Sequence, residues 1–274
     1  SFNSDGFTLN DDNNVNNPGI EYVAWNFKAG GAAVTNTDGT ITSQVSANTE
    51  AGFSVVSYTG NGANGTVGHG LGVTPNIVLT KRRNSTSNWS FNGNFGGLIY
   101  GTNKLALNDT IGISADTNEV LAANSNNFTA GTSGAVGASG GTYIAYCFAE
   151  VEGFSSFGSY VGTGTSNTVV TGFEPAFIMV KKTDSIGGDS SWGIFDNKRN
   201  VNNPTNKALF PNLSNSESTE SNAGFNFLEN GFSTIGSGLL SNSSGSTYIY
   251  MAFAADPTTI EPTLEDSFNT VVYS

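Results

Sequence analysis

Histidine and cysteine are almost missing from this chain: each occurs once in 274 residues, as His69 and Cys147. A single cysteine excludes an intrachain disulfide. Cys147 sits in the apolar run Thr142–Ala149 and reads as a small buried hydrophobe rather than a reactive thiol. His69, in Val67-Gly-His-Gly-Leu71, has no ligand partner at useful spacing. Charge is also scarce, at 12% of residues against a usual share of roughly 25%. Cations are the scarcer sign, with 10 Lys and Arg against 22 Asp and Glu, for a net charge of −12. Nucleic-acid binding needs clustered cations. The one basic triplet, Lys81-Arg82-Arg83, reads as a solvated strand end. The acidity also speaks against anionic membrane surfaces, and no apolar run nears the roughly 18 residues of a membrane span. No signal peptide opens the sequence. It starts Ser1-Phe2-Asn3 without Met, as a processed product or a part of a longer polypeptide would.

Catalytic patterns are equally thin. The acidic residues Glu150, Glu152, Asp256, Glu261, Glu265 and Asp266 fall mostly in connectors, and no carboxylate pair recurs for glycan hydrolysis. Asp11-Asp12-Asn13-Asn14 lacks the spacing and closing Glu of a calcium loop. No nucleophile elbow and no phosphate loop is present. The sequence predicts a non-enzyme without metal or cofactor.

What is present is glycine, asparagine, serine and threonine between short apolar runs, and the runs repeat. Gly140-Gly-Thr-Tyr-Ile-Ala-Tyr-Cys-Phe-Ala-Glu150 returns as Gly245-Ser-Thr-Tyr-Ile-Tyr-Met-Ala-Phe-Ala-Ala255, its tyrosines 105 positions apart at 143 and 248. In the same order, Ser57-Tyr58 returns as Ser159-Tyr160, Pro75–Lys81 as Pro175–Lys181, Trp89 as Trp192, and Lys104–Leu107 as Lys207–Phe210. Internal repetition of this kind sets the architecture. A partial copy opens the chain: Asp5–Leu9 matches Asn230–Thr234, and Tyr22–Phe27 matches the Tyr–Ile run. The closing Asp266–Ser274 reads like a first strand (compare Gly52–Tyr58).

The layout is therefore a partial repeat at 1–29 contributing C-terminal strands, a polar connector at 30–51, full repeats at 52–152 and 153–256, and a connector with a further first strand at 257–274. Val, Ile, Phe and Tyr dominate the runs, which recur every 10–15 residues between turn residues, and no 3.6-residue period is sustained. The pattern predicts an all-β protein of tandem antiparallel β-sandwich repeats, jelly-roll or immunoglobulin-like. Both faces of Tyr143–Ala149 are apolar, so the second face needs cover from the adjacent repeat, a loop or another subunit. Homo-oligomer formation is expected on that ground, and the two incomplete ends are expected to pair with each other or with a neighbour.

The candidates for recognition are aromatic: Trp89 and Trp192 at equivalent positions, and Phe91 and Phe95 in a loop that the second repeat does not share. Indole faces stack on sugars, yet a repeated tryptophan also suits a sandwich core.

Ala32–Ala47 with Gly52–Gly60, Val67–Leu71, Tyr143–Gly153 and Tyr248–Ala254 resembles segments of tail-fibre-type virion structural proteins of marine tailed bacteriophages. The resemblance spans nearly the whole chain and brings no catalytic residues. It implies a protein of the virion surface: a tail-fibre segment that spaces other parts and adheres to a host-surface glycan or outer-membrane protein. Other virion proteins are the implied partners. The alternative is a purely structural capsid decoration, or a filament subunit assembled through terminal strands.

Overall fold

A computed structural model of the chain describes residues 2–3, 6–254 and 268–273. Among the described residues no helix occurs, and the strand ladders are antiparallel. Three strands open the chain: β1 (Phe2–Asn3), β2 (Gly6–Phe7) and β3 (Tyr22–Phe27). A first lobe holds β4 (Val34–Asn36), β5 (Ser43–Asn48), β6 (Phe53–Thr59), β7 (Gly65–Gly68), β8 (Ile77–Arg82), β9 (Ser90–Gly93), β10 (Asn103–Ala106), β11 (Ser114–Ala115), β12 (Val120–Ala123), β13 (Asn127–Ala130) and β14 (Thr142–Phe148). A second lobe holds β15 (Ser155–Val161), β16 (Thr168–Val170), β17 (Pro175–Lys182), β18 (Trp192–Asp196), β19 (Lys207–Ala208), β20 (Ser218–Thr219), β21 (Phe225–Leu228), β22 (Gly231–Thr234) and β23 (Thr247–Ala254). The last strand is β24 (Phe268–Tyr273).

The first lobe is a sandwich of an eight-stranded sheet, order β11-β10-β9-β8-β14-β6-β5-β4, and a three-stranded sheet, β12-β13-β7. Val56, Tyr58, Val78, Tyr143, Ala145 and Cys147 from the large sheet meet Val67, Phe128 and Ala130 from the small one in a closed core. Burial pushes the Cys147 thiol up to about 12, as expected of a packing residue. In the second lobe the order is β15-β23-β17-β18 against β16-β22-β21. Tyr160, Tyr250 and Phe232 pack edge to face between its sheets, with centroids 6.0 Å (Tyr160–Phe232) and 5.1 Å (Phe232–Tyr250) apart.

The registers explain why the tyrosines recur. Tyr143 pairs with Tyr58, and Tyr248 with Tyr160. Each pair stacks, at 5.2 Å and 5.1 Å. Each Tyr–Ile strand also begins with one hydrogen-bond device. Tyr143 Oη donates to Gly134 O and accepts from Ala138 N–H, and Tyr248 Oη donates to Leu239 O and accepts from Ser243 N–H. Tyr22 repeats this at the same spacing, donating to Asn13 O and accepting from Asn17 N–H. The hydroxyl thus ties down the loop before the strand, a bond that phenylalanine could not make.

The ends of the chain meet. β24 pairs with β3, Tyr273 opposite Tyr22 and Phe268 opposite Phe27, the register in which Tyr58 and Phe53 stand opposite Tyr143 and Phe148. The three equivalent phenylalanines converge: Phe27 lies 5.6 Å from Phe148 and 5.2 Å from Phe253, and Phe148 lies 6.2 Å from Phe253. A third pair of strands, β3 with β24, therefore joins the two lobes, with Phe27 at a shared aromatic centre.

The segment 30–51, expected as a connector, carries β4 and β5, which extend the first lobe's sheet beyond β6. Its composition is polar because only Ile41, Ser43, Val45 and Ala51 are buried; Ser43 Oγ donates to Gly68 O at 2.9 Å. The connector expected from 257 lies outside the described residues up to 267.

Candidate functional site

The expected recognition residues fall in one region, the outer face of each lobe's large sheet, with opposite fates. On the second lobe this face is Phe157, Met179, Lys181, Trp192, Ile249 and Met251, all buried. On the first lobe the equivalent residues are Val55, Leu79, Lys81, Trp89, Ile144 and Tyr146, all half-buried. The difference is the first lobe itself, which sits on the second.

That contact adds main-chain hydrogen bonds to a shared apolar core, in which Phe91, Leu105 and Phe148 of the first lobe pack with Phe157, Trp192 and Phe253 of the second. The loop from β10 to β11 lies against β17 and β18. Trp192 Nε1 donates to Ala106 O at 2.9 Å, and Lys181 Nζ donates to Thr110 O and Ser190 O, both at 2.7 Å. Ile113 N–H donates to Thr183 O at 2.8 Å. A β-carbon on Gly112 would lie 2.5 Å from Thr183 O, so this approach requires glycine. Burial lowers the Lys181 ammonium to about 8, against the opposing pull of Asp189 and, more weakly, Asp109.

Phe91 is fully buried and packs on Trp192 at 5.0 Å. Neither ring has a solvent face, so both hold the lobes together. Phe95 is half-buried against the same core. Trp89 is the reachable indole. Its ring stacks on that of Tyr146 at 6.2 Å and 22°, the backbone N–H of Trp89 donates to Asn108 Oδ1 at 2.8 Å, and Lys81 Nζ lies 5.7 Å from the ring centre. Asn212 Oδ1 accepts from Trp192 N–H in the same way, at 3.1 Å, so the two frameworks match and their cover differs.

Several charged groups elsewhere are already engaged. Lys104 bridges Asp116 at 3.0 Å and Glu119, whose other oxygen accepts from Ser90. Burial works against the Asp116 charge, but the Asn118 N–H and Lys104 outweigh it and hold this carboxyl below its usual range. Arg199 bridges buried Asp196 at 2.7 Å and Glu217 at 3.0 Å, and covers Trp25 at 5.7 Å. Burial lowers His69, whose Nε2 lies 2.9 Å from Asn124 O while Nδ1 accepts from Leu71 N–H. Among the described residues no group of three or more His, Cys, Asp or Glu is placed to hold a metal ion. No helix there is long and apolar enough to cross a membrane.

A cleft of about 350 Å³ on the second lobe was not visible in the sequence. Glu174, Asn197, Lys198, Val201, Asn202 and Asn203 line it. Its carboxamides and charged ends suit a hydroxyl-rich ligand. The run Asn200-Val-Asn-Asn203 was its one signal, and it reads as loop composition.

Fold and surface together define, among the described residues, an all-β, sandwich-type protein of two lobes and a closing strand pair. A family model described as a domain of unknown function, DUF7483, matches residues 1–257, and the chain belongs to that family. Comparison with curated proteins and with solved structures gives no match.

Proposed function

We propose that this protein is a non-enzymatic virion component of a tailed bacteriophage: a tail-fibre segment that serves as a spacer and as an adhesin for a host-surface glycan or outer-membrane protein. The observation that carries the reading is the way the lobes are joined. The first lobe seals the outer face of the second through Trp192, Lys181 and the β10–β11 loop, which suits a stiff element in series. The carboxamide-lined cleft at Asn197–Asn203 offers the adhesive contact. Weak single contacts multiplied over several copies give avidity. The resemblance to tail-fibre-type proteins of marine phages supports the same reading.

The alternative, a filament that exchanges terminal strands, is weakened because β3 and β24 pair within the chain. Immunogold electron microscopy of the source particles with antibody to residues 52–256 tests the proposal. Label on thin appendages is expected. Label over the head, or none on particles, contradicts it. Unchanged host adsorption after Asn202→Ala with Lys198→Ala would remove the adhesive half.

A further inference from the structure

The second lobe shows what its outer face is shaped to receive: a loop that places one carbonyl on the indole N–H, another on the lysine ammonium, and glycine where the backbones touch. The first lobe repeats the receiving side. Lys81 and Trp89 stand where Lys181 and Trp192 stand, with Ile144 and Tyr146 beside them, half-exposed. Trp89 Nε1 has no acceptor among the described residues.

We propose that this face of the first lobe is a docking surface for an acidic, carbonyl-presenting loop of another protein, of the kind that Leu105–Ile113 offers to the second lobe.

Charge separates the two faces and points to the partner. Where the second lobe has Lys182 and Thr183, the first has Arg82 and Arg83, the latter exposed. In a chain of net charge −12, Lys81-Arg82-Arg83 is the one basic triplet; Lys81 and Arg83 lie on the side of the open face, while Arg82, opposite Tyr143, lies on the other. The Leu105–Ile113 loop already carries Asp109, which acts on the Lys181 charge. A basic rim favours an acidic loop and speeds encounter with it. A second copy of this chain is the poorer occupant because its own loops are engaged. Leu105–Ile113 is seated on its second lobe, and the counterpart after Asn212 is tied through Glu217 to Arg199 at 3.0 Å and Lys207 at 3.2 Å. The inference does not rest on the adhesive reading.

The test is a titration of the whole protein, with ¹⁵N-labelled tryptophan, by a capped peptide of the Leu105–Ile113 sequence. The chain has three tryptophans, so three indole N–H signals report, and Trp89→Phe assigns one. A saturable shift of the Trp89 signal is expected, with Trp192 unmoved because its site is filled intramolecularly. Arg83→Glu should weaken binding roughly two- to fivefold, the worth of one exposed charge pair. No shift at millimolar peptide overturns the proposal. So does a shift given equally by a scrambled peptide, or by simple sugars and not by the peptide. Self-association of the free protein that Trp89→Asp removes would assign the face to a second copy and overturn it as well.

Discussion

Trp89 and Trp192 occupy one position in two copies of one framework, and one is half-exposed while the other is 1% exposed. The strands around them tell the same story. β14 alternates between buried and half-buried residues, whereas β23 is buried at seven of its eight positions and β17 at all eight. The inner faces of both lobes follow from their own sequence. The outer faces follow from what lies next to them. A residue's role here is set by the neighbouring lobe as much as by the residue.

Four experiments break or sharpen that comparison. The largest effect is expected from Trp192→Ala, which empties a buried site and strands Ala106 O. It should cost about 3–5 kcal/mol in denaturant unfolding, against less than about 1.5 kcal/mol for Trp89→Ala. Equal costs would mean that the lobe contact does not form.

Lys181 comes next. Its folded pKa is about 8, below the 10.5 of a free lysine, so between these values the unfolded chain binds more protons. Stability should therefore rise with pH across that window, by about 2–3 kcal/mol. Above pH 10 the rise is cut off, because burial raises Tyr58 and Tyr160 and the unfolded chain then loses protons first. Lys181→Gln should flatten the window, and Lys81→Gln should leave it unchanged. Gly112→Ala forces a β-carbon against Thr183 O and should destabilise by about 1–3 kcal/mol, seen as a lower denaturant midpoint.

The smallest effect is acidic. Burial lowers the folded pKa of His69, so the unfolded chain takes up the proton first and stability falls as pH drops through 6.5. His69→Gln should remove that dependence. The second lobe has Thr171 at this place, bonded to Phe173 O at 2.7 Å, and adds no such term.

Much of the fold was legible because hydrogen-bonded registers demand specific side chains. Tyr143 and Tyr248 stack across strands, and the bond from the tyrosine back to the preceding loop returns at Tyr22, Tyr143 and Tyr248. Strands β4 and β5 were hidden because a polar edge extension leaves few apolar positions to read. The apolar second face of β14 signalled that something covers it, but the hydrogen-bonded part of the lobe contact was hidden because its acceptors are main-chain carbonyls of Ala106 and Thr110, which leave no mark on residue type. Lys181 follows an apolar run as Lys81 does, and nothing in the sequence tells a lysine sealed by carbonyls from one at an open rim. Of the four aromatic candidates, Phe91 and Trp192 are packing residues, and the Asn-lined cleft was missed because its residues read as an ordinary loop.

Hydrogen exchange at the indole N–H groups of Trp89 and Trp192 in the intact protein tests the central asymmetry most directly. Trp192, sealed and bonded to Ala106 O, should exchange only with lobe separation or unfolding, while Trp89 exchanges on the timescale of an accessible side chain. Equal and rapid exchange at both positions would contradict the account, because the first lobe would then not be seated on the second.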